Sequence, residues 1–172
     1  MTLLAVTVIG HDRPGIIADA TRLLADLGAN LEDSSMTLLR GHFAMVLVAT
    51  ADADAQEVER ALVPLAGDGS LDVSVREVPV EEVPTPGGAP YLLTVHGGDR
   101  PGIVSAVTAQ VAAAGGNVTD LTTRLAGDLY VLLAEVDLPA GVDPERLSGE
   151  LSAVGRDLGV QVSLRPVEPD LL

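Results

Sequence analysis

Alternating apolar positions open the chain and predict a strand. Leu4, Val6 and Val8 lie two residues apart in an aliphatic and β-branched segment at residues 3–9, so they share one face of that strand. Asp-Arg-Pro-Gly at residues 12–15 ends the segment. Apolar residues then recur every three or four positions, which predicts a helix that ends at Gly28.

Two strands and a second helix are predicted after Gly28. The strands cover residues 30–40 and 42–50, with Arg40-Gly41 as a short hairpin connection. Asp54 can cap the second helix through its side chain. A last strand carries Leu71, Val73 and Val75 at period two.

The same plan occurs twice in the chain. Asp12-Arg13-Pro14-Gly15-Ile16 recurs as Asp99-Arg100-Pro101-Gly102-Ile103, 87 residues later, and the register holds without a gap. A repeat of this length predicts two small domains, each with its own core. We place the first domain at residues 1–80, a Pro/Gly linker at 81–90, the second domain at 91–168 and a short tail at 169–172.

The element order of each copy is βαββαβ. This order predicts an α+β fold of two ferredoxin-like domains, each with both helices on one face of an antiparallel sheet. Domains of this size bury only a modest share of their surface, so we expect self-association, most simply as a homodimer.

Composition excludes several functional classes. The formal net charge is −15, the chain has no lysine, and no cluster of arginines reverses the charge locally, so we expect no direct contact with nucleic acid. The chain has no cysteine, which excludes disulfides, thiolate metal sites and cysteine nucleophiles. We identify no signal peptide and no apolar run of the ~20 residues that a membrane helix requires, and we expect a cytoplasmic protein.

The joint between the first strand and the first helix carries the strongest chemical signal. Proline costs little in a first helical turn, and Asp12 can cap the helix from before Pro14. The free amides of that turn can receive a carboxylate, and Gly15 lets a ligand approach the backbone. Asn30 starts the next strand and can take the ligand's ammonium group. The alternative is that the joint is a helix cap and nothing more.

Catalytic and metal sites are not predicted. His11 and His96 lie near the two joints and are assigned to packing or hydrogen bonding, and His42 lies at a hairpin in solvent. No nucleophile, base and orienting carboxylate recur together, and no phosphate-binding glycine loop is present. We predict no metal and no cofactor.

The repeated joint, the segments Gly28-Ala29-Asn30 and Gly116-Asn117, and the hairpins into Phe43 and Tyr130 resemble those of ACT domains over nearly the whole chain. The resemblance implies that a small effector, an amino acid or a relative of one, binds at interfaces between domains. The implied ligand-binding residues are Asp12, Arg13, Gly15, Ile16, Asn30, Asp99, Arg100, Gly102, Ile103 and Asn117. The copies differ where His11 becomes Gly98, so they need not bind the same ligand.

A tandem pair of this kind is similar to the glycine cleavage system transcriptional repressor group, which implies a non-enzymatic regulator. We predict that it binds a small amino acid such as glycine or serine and signals through a protein partner. One alternative is an adaptor without a small-molecule ligand. Another is an enzyme whose site forms between copies. A single joint also resembles the amino-terminal module of formyltetrahydrofolate deformylase, whose activity requires a catalytic domain.

Overall fold

The computed structural model describes residues 1–67, 69–80 and 88–167. The chain divides into two compact units, Met1–Glu82 and Val83–Leu172. Within these described residues, each unit contains four strands and two α-helices in the order βαββαβ, and the first unit adds a short 3₁₀ helix, Val63–Ala66. This confirms the predicted α+β, ferredoxin-like fold.

The elements of the first unit begin and end close to their predicted positions. They are β1 (Thr2–His11), α1 (Ile16–Asp26), β2 (Asn30–Leu39), β3 (His42–Ala51), α2 (Ala55–Leu62) and β4 (Leu71–Glu77). Asp54 caps α2 as predicted, and its partner Glu57 completes a capping box.

The second unit repeats this arrangement. Its elements are β5 (Gly88–Gly98), α3 (Ile103–Ala113), β6 (Asn117–Ala126), β7 (Leu129–Pro139), α4 (Pro144–Leu158) and β8 (Val160–Pro166). Asp143 caps α4 and Pro144 occupies its first turn, as predicted.

Strand β5 begins earlier than the sequence pattern indicates. The predicted linker extends to Pro90, whereas Gly88 already pairs with Pro139 and Pro90 pairs with Asp137. Residues 88–90 therefore belong to the sheet, because β7 is long enough to offer them partners. The remaining linker residues, 81–87, and the predicted tail, 169–172, lie outside the described residues.

The sheets are antiparallel, with strand orders β2-β3-β1-β4 and β6-β7-β5-β8. One face of each sheet packs on its two helices and forms the core. In β1, Leu4, Val6 and Val8 point into this core, as the alternation predicts. The opposite face of the first sheet stays open, and there Ile9 is 53% and Val46 47% exposed.

Candidate functional site

The joint between β1 and α1 has a geometry that the sequence pattern did not predict. The helix cap is Gly15, whose φ of 92° is left-handed, and no side chain caps the helix. Gly102 has the same conformation, with φ of 93°, and also lacks a side-chain cap. The predictions that Asp12 caps α1 and that Pro14 lies in its first turn are therefore wrong. Pro14 instead lies before the helix, which begins at Ile16, and Asp12 makes no cap hydrogen bond.

Backbone conformation, rather than lack of space, explains the glycine at both joints. A β-carbon on Gly15 would meet nothing closer than Asp19 Oδ2 at 3.9 Å. A β-carbon on Gly102 would meet nothing closer than Ser105 Oγ at 4.0 Å. Left-handed φ values are costly for residues that carry a β-carbon, so glycine is favoured here.

A cavity of about 290 Å³ opens at the first joint. It brings together four of the predicted site residues, Asp12, Arg13, Gly15 and Ile16. The other lining residues come from the first turn of α1, from β2 and from β3: Ile17, Ala18, Met36 and Phe43. The Asp12 amide donates to the carbonyl of Gly41 at 3.4 Å, which holds the joint beside the β2–β3 hairpin.

The two charged residues of this cavity differ in what they bind. Arg13 donates to Asp19 Oδ2 at 3.4 Å and to the Leu65 carbonyl at 3.4 Å, so its guanidinium is engaged within the unit. The Asp12 carboxylate, by contrast, makes no ion pair or hydrogen bond with any described residue. Asp12 is therefore the lining side chain with a free charge.

The isoleucines of the repeated motif belong to the core. Ile16 and Ile103 are each 1% exposed and pack under their sheets. Both residues are therefore held in place by the core of their own domain. The first turn of a helix leaves its amides without intrahelical partners, and at both joints no side chain takes their place.

Asn30 lies far from the joint of its own unit. Helix α1 separates the two, and its 11 residues span about 16 Å at the usual rise. In the sheet Asn30 pairs with Thr50, whereas His11 beside the joint pairs with His42 at the other end of β3. A small amino acid cannot contact Asn30 and the joint within one unit.

The second unit has a different surface along the corresponding helix. Asn117 lines a groove of about 530 Å³ between α3 and β6, together with Ser105, Thr108 and Leu121. The motif residues Asp99, Arg100, Gly102 and Ile103 are not among the residues that line it. Arg100 instead lies against Gly159 at the end of α4.

The sequence pattern missed half of the first cavity's lining. Ile17 and Ala18 follow the motif directly and are exposed, so a search extended by one helical turn would have found them. Met36 and Phe43 come from the hairpin and reach the joint only through strand pairing, where Met36 lies opposite Met45 and Leu38 opposite Phe43.

The part of the chain that the structure describes contains no group of three or more histidine, cysteine, aspartate or glutamate side chains arranged to hold a metal ion. Within the same residues, none of the helices has both the length and the apolar character needed to cross a bilayer.

Comparison with known proteins agrees with this architecture. A UPF0237 protein from Methanopyrus kandleri is 56% identical over 55 residues, which are 31% of this chain and 61% of that protein. The glycine cleavage system transcriptional repressor of Escherichia coli is 26% identical over 95% of this chain and 90% of its own length.

Among solved structures, that of an unknown protein from Galdieria sulphuraria superposes with a TM-score of 0.80 at 32% identity, covering 97% of this chain and 99% of its own. The ACT domain model matches twice, at residues 2–76 and 90–165, and so accounts for both copies of the repeat. The chain therefore belongs to the ACT domain family and carries two ACT domains.

Proposed function

We propose that this protein is a non-enzymatic regulator that binds a small amino acid at the joint cavity of its first domain and acts through a protein partner. The observation that carries the proposal is the combination of uncapped helix amides and a free carboxylate in one cavity, Gly15 and Asp12. Membership in the ACT family and the similarity to a transcriptional repressor support a regulatory role.

A free amino acid carries both charges that such a cavity could receive. The amides at the start of α1 are partial positive charges, so the ligand's carboxylate would bind there. The Asp12 carboxylate would then receive the ammonium group, a charge-assisted hydrogen bond. Within the first domain, Asp12 would thus bind the ligand's ammonium group in place of Asn30. Asn30 and Asn117 would contribute from another copy of the chain, in a homodimer.

Cavity size and lining favour a small ligand. At about 290 Å³ the cavity is at the lower end of the volumes that hold small molecules. Ile17 and Met36 form an apolar wall, which suits a short aliphatic or hydroxylated side chain. Glycine and serine remain the proposed effectors. No histidine lines the cavity, which argues for binding rather than catalysis.

The proposed output is a protein contact. The E. coli relative is named a transcriptional repressor, but a chain of net charge −15 would be repelled by DNA phosphates. Ligand binding at a surface shared with a partner would shift the population of the bound state.

A second candidate function is an adaptor that binds a protein and no small molecule. It is favoured by the open face of the first sheet, where Ile9 and Val46 remain half exposed. Apolar side chains grouped on an uncovered sheet face are typical of protein contact surfaces.

The test is a thermal-unfolding screen of the full chain against the twenty amino acids. A ligand at 100 times its Kd adds about 2.7 kcal/mol to the apparent stability. We expect one or a few small amino acids to raise the unfolding temperature. Ala18→Gln should abolish that rise, because Ala18 is exposed, lies in a helix and lines the cavity.

Ala25→Gln is the matched control for this variant. Ala25 is exposed on the same helix and does not line the cavity, so it should keep the full response. Equal loss in both variants would contradict the joint as the binding site. A wild-type protein that responds to no amino acid would favour the adaptor, and its partner would then be sought by affinity capture.

A further inference from the structure

Two histidines face each other at the end of the first sheet. His11 ends β1 and His42 begins β3, and the two are directly paired across the strands. Their ring centroids are 5.7 Å apart with planes tilted by 31°. Both side chains are exposed. Two of the chain's three histidines therefore face each other across neighbouring strands.

This pair lies on the face of the sheet opposite to the joint cavity. Strand alternation puts Val8 and Phe43 on the helix side, in the core. His11 and His42 are therefore on the open side, together with Ile9. Neither histidine lines the joint cavity, so any function of the pair is separate from amino-acid binding.

The spacing of the rings fits one metal ion between them. Imidazole nitrogens bind zinc at roughly 2.0–2.1 Å, which leaves the ring centroids of two tetrahedral ligands roughly 5 Å apart. The observed centroid separation of 5.7 Å is close to this value, and a rotation of the side chains would set where their nitrogens point. Exposed rings can make this rotation without disturbing the core.

The chemistry of the pair selects a class of cation. Neutral imidazole suits zinc, nickel and copper rather than magnesium or calcium, which prefer oxygen ligands. The net charge of −15 also raises the local concentration of cations at the surface. In the second unit Gly98 and Leu129 occupy the corresponding positions, so the feature is particular to the first domain.

We infer that His11 and His42 form a two-histidine surface site for a divalent first-row transition cation, with the remaining coordination positions open to water or to an added ligand. No third metal-binding side chain joins the pair among the described residues, so the site is an open one. The site is not evident from the sequence, because its two residues meet only through strand pairing.

The experiment is a Zn²⁺ titration of the untagged full chain by calorimetry, with the metal alone as the probe. We expect one Zn²⁺ per chain at this site. His11→Gln and His42→Gln should each weaken binding at least tenfold, because each removes one of two protein ligands. Acidification should release the metal, since protonated imidazole cannot coordinate. NMR signals of both imidazoles should shift together when Zn²⁺ is added.

His96→Gln is the matched control. His96 is an exposed histidine on the open side of β5 and lacks a facing histidine, since it pairs with Val131. Its replacement should leave Zn²⁺ affinity unchanged within twofold. Wild-type affinity in His11→Gln would overturn the inference by showing that Zn²⁺ binds elsewhere, such as at surface carboxylates. An equal loss in His96→Gln would overturn it by showing that single histidines bind Zn²⁺ without being paired.

The proposed metal site and the proposed amino-acid site are independent of each other, so each can be tested separately. Thermal shifts with amino acids should persist in His11→Gln and in the presence of a chelator. Zn²⁺ binding should likewise persist in Ala18→Gln, which alters the other face. Loss of both responses in either variant would contradict the separation of the two sites.

Discussion

The guanidinium carbon of Arg100 lies 3.5 Å from the position that a β-carbon on Gly159 would occupy. Arg13, at the corresponding position of the first domain, donates to the carbonyl of Leu65 at 3.4 Å. Both arginines of the repeated motif thus extend from the joint to the end of the second helical segment in their own domain. The carbonyl end of a helix carries partial negative charge, which a guanidinium stabilises. These contacts give both arginines a structural role and leave the ligand-binding role predicted for them as a hypothesis.

Removing the first of these arginines should lower stability modestly. Arg13→Gln loses an ion pair with Asp19 and the hydrogen bond to Leu65. We expect a loss of about 1 kcal/mol in urea unfolding, because the side chain is partly solvated. Arg124→Gln is the control, since its guanidinium donates only to the neighbouring Thr123 carbonyl and should change stability little. An equal loss of stability in Arg13→Gln and Arg124→Gln would argue against a stabilising contact between Arg13 and the Leu65 carbonyl.

Gly10, which lies two residues before the first motif, should not tolerate a side chain. A β-carbon on Gly10 would lie 2.1 Å from the Ser70 carbonyl oxygen, which already accepts from the His11 amide. Because the obstacle is backbone, β4 would have to move. Gly10→Ala should therefore cost about 3 kcal/mol or more in thermal unfolding.

At Gly149, in contrast to Gly10, replacement by alanine should raise the stability measured by thermal unfolding. Gly149 lies exposed within α4, and a β-carbon there would meet nothing within 4 Å. Gly149→Ala should raise stability by about 0.5–1 kcal/mol, because alanine is the better helix former. A destabilising Gly149→Ala would show that this position of α4 is closely packed.

The cap of α2 should contribute measurably to the first domain. Asp54 Oδ1 accepts from the Glu57 amide at 2.8 Å, and Glu57 Oε2 accepts from the Asp54 amide at 3.1 Å. Asp54→Ala should lose about 1 kcal/mol in chemical denaturation. Asp52→Ala, which removes only an exposed ion pair with the N-terminal amine, should lose less than about 0.5 kcal/mol.

The left-handed glycine of the joint leads to a prediction about substitution order. Because Gly15 has φ of 92° and space around its α-carbon, strain rather than collision sets the cost. Gly15→Asn should destabilise less than Gly15→Val, since asparagine tolerates this conformation far better than a β-branched residue. Circular dichroism melts of both variants test this order. A reversed order would show that side-chain volume governs the joint.

The hydropathy pattern by itself determined the elements and their repetition. Alternation of Leu4, Val6 and Val8 and the cap at Asp54 predicted local structure correctly, because strand pleating and helix capping depend on neighbours in the chain. The motif that occurs at Asp12 and again at Asp99 revealed two domains, because a repeat is visible in the sequence itself. These features need no knowledge of long-range contacts.

Only the tertiary structure decided which of these residues meet. Gly15, with its left-handed φ, is the cap of α1 in place of Asp12. The β2–β3 hairpin places Met36 and Phe43 at the joint. Helix α1 separated Asn30 from that cavity, and pairing of β1 with β3 joined His11 to His42. Such contacts depend on backbone conformation at single residues and on register between distant strands, which the local spacing of residue types does not encode.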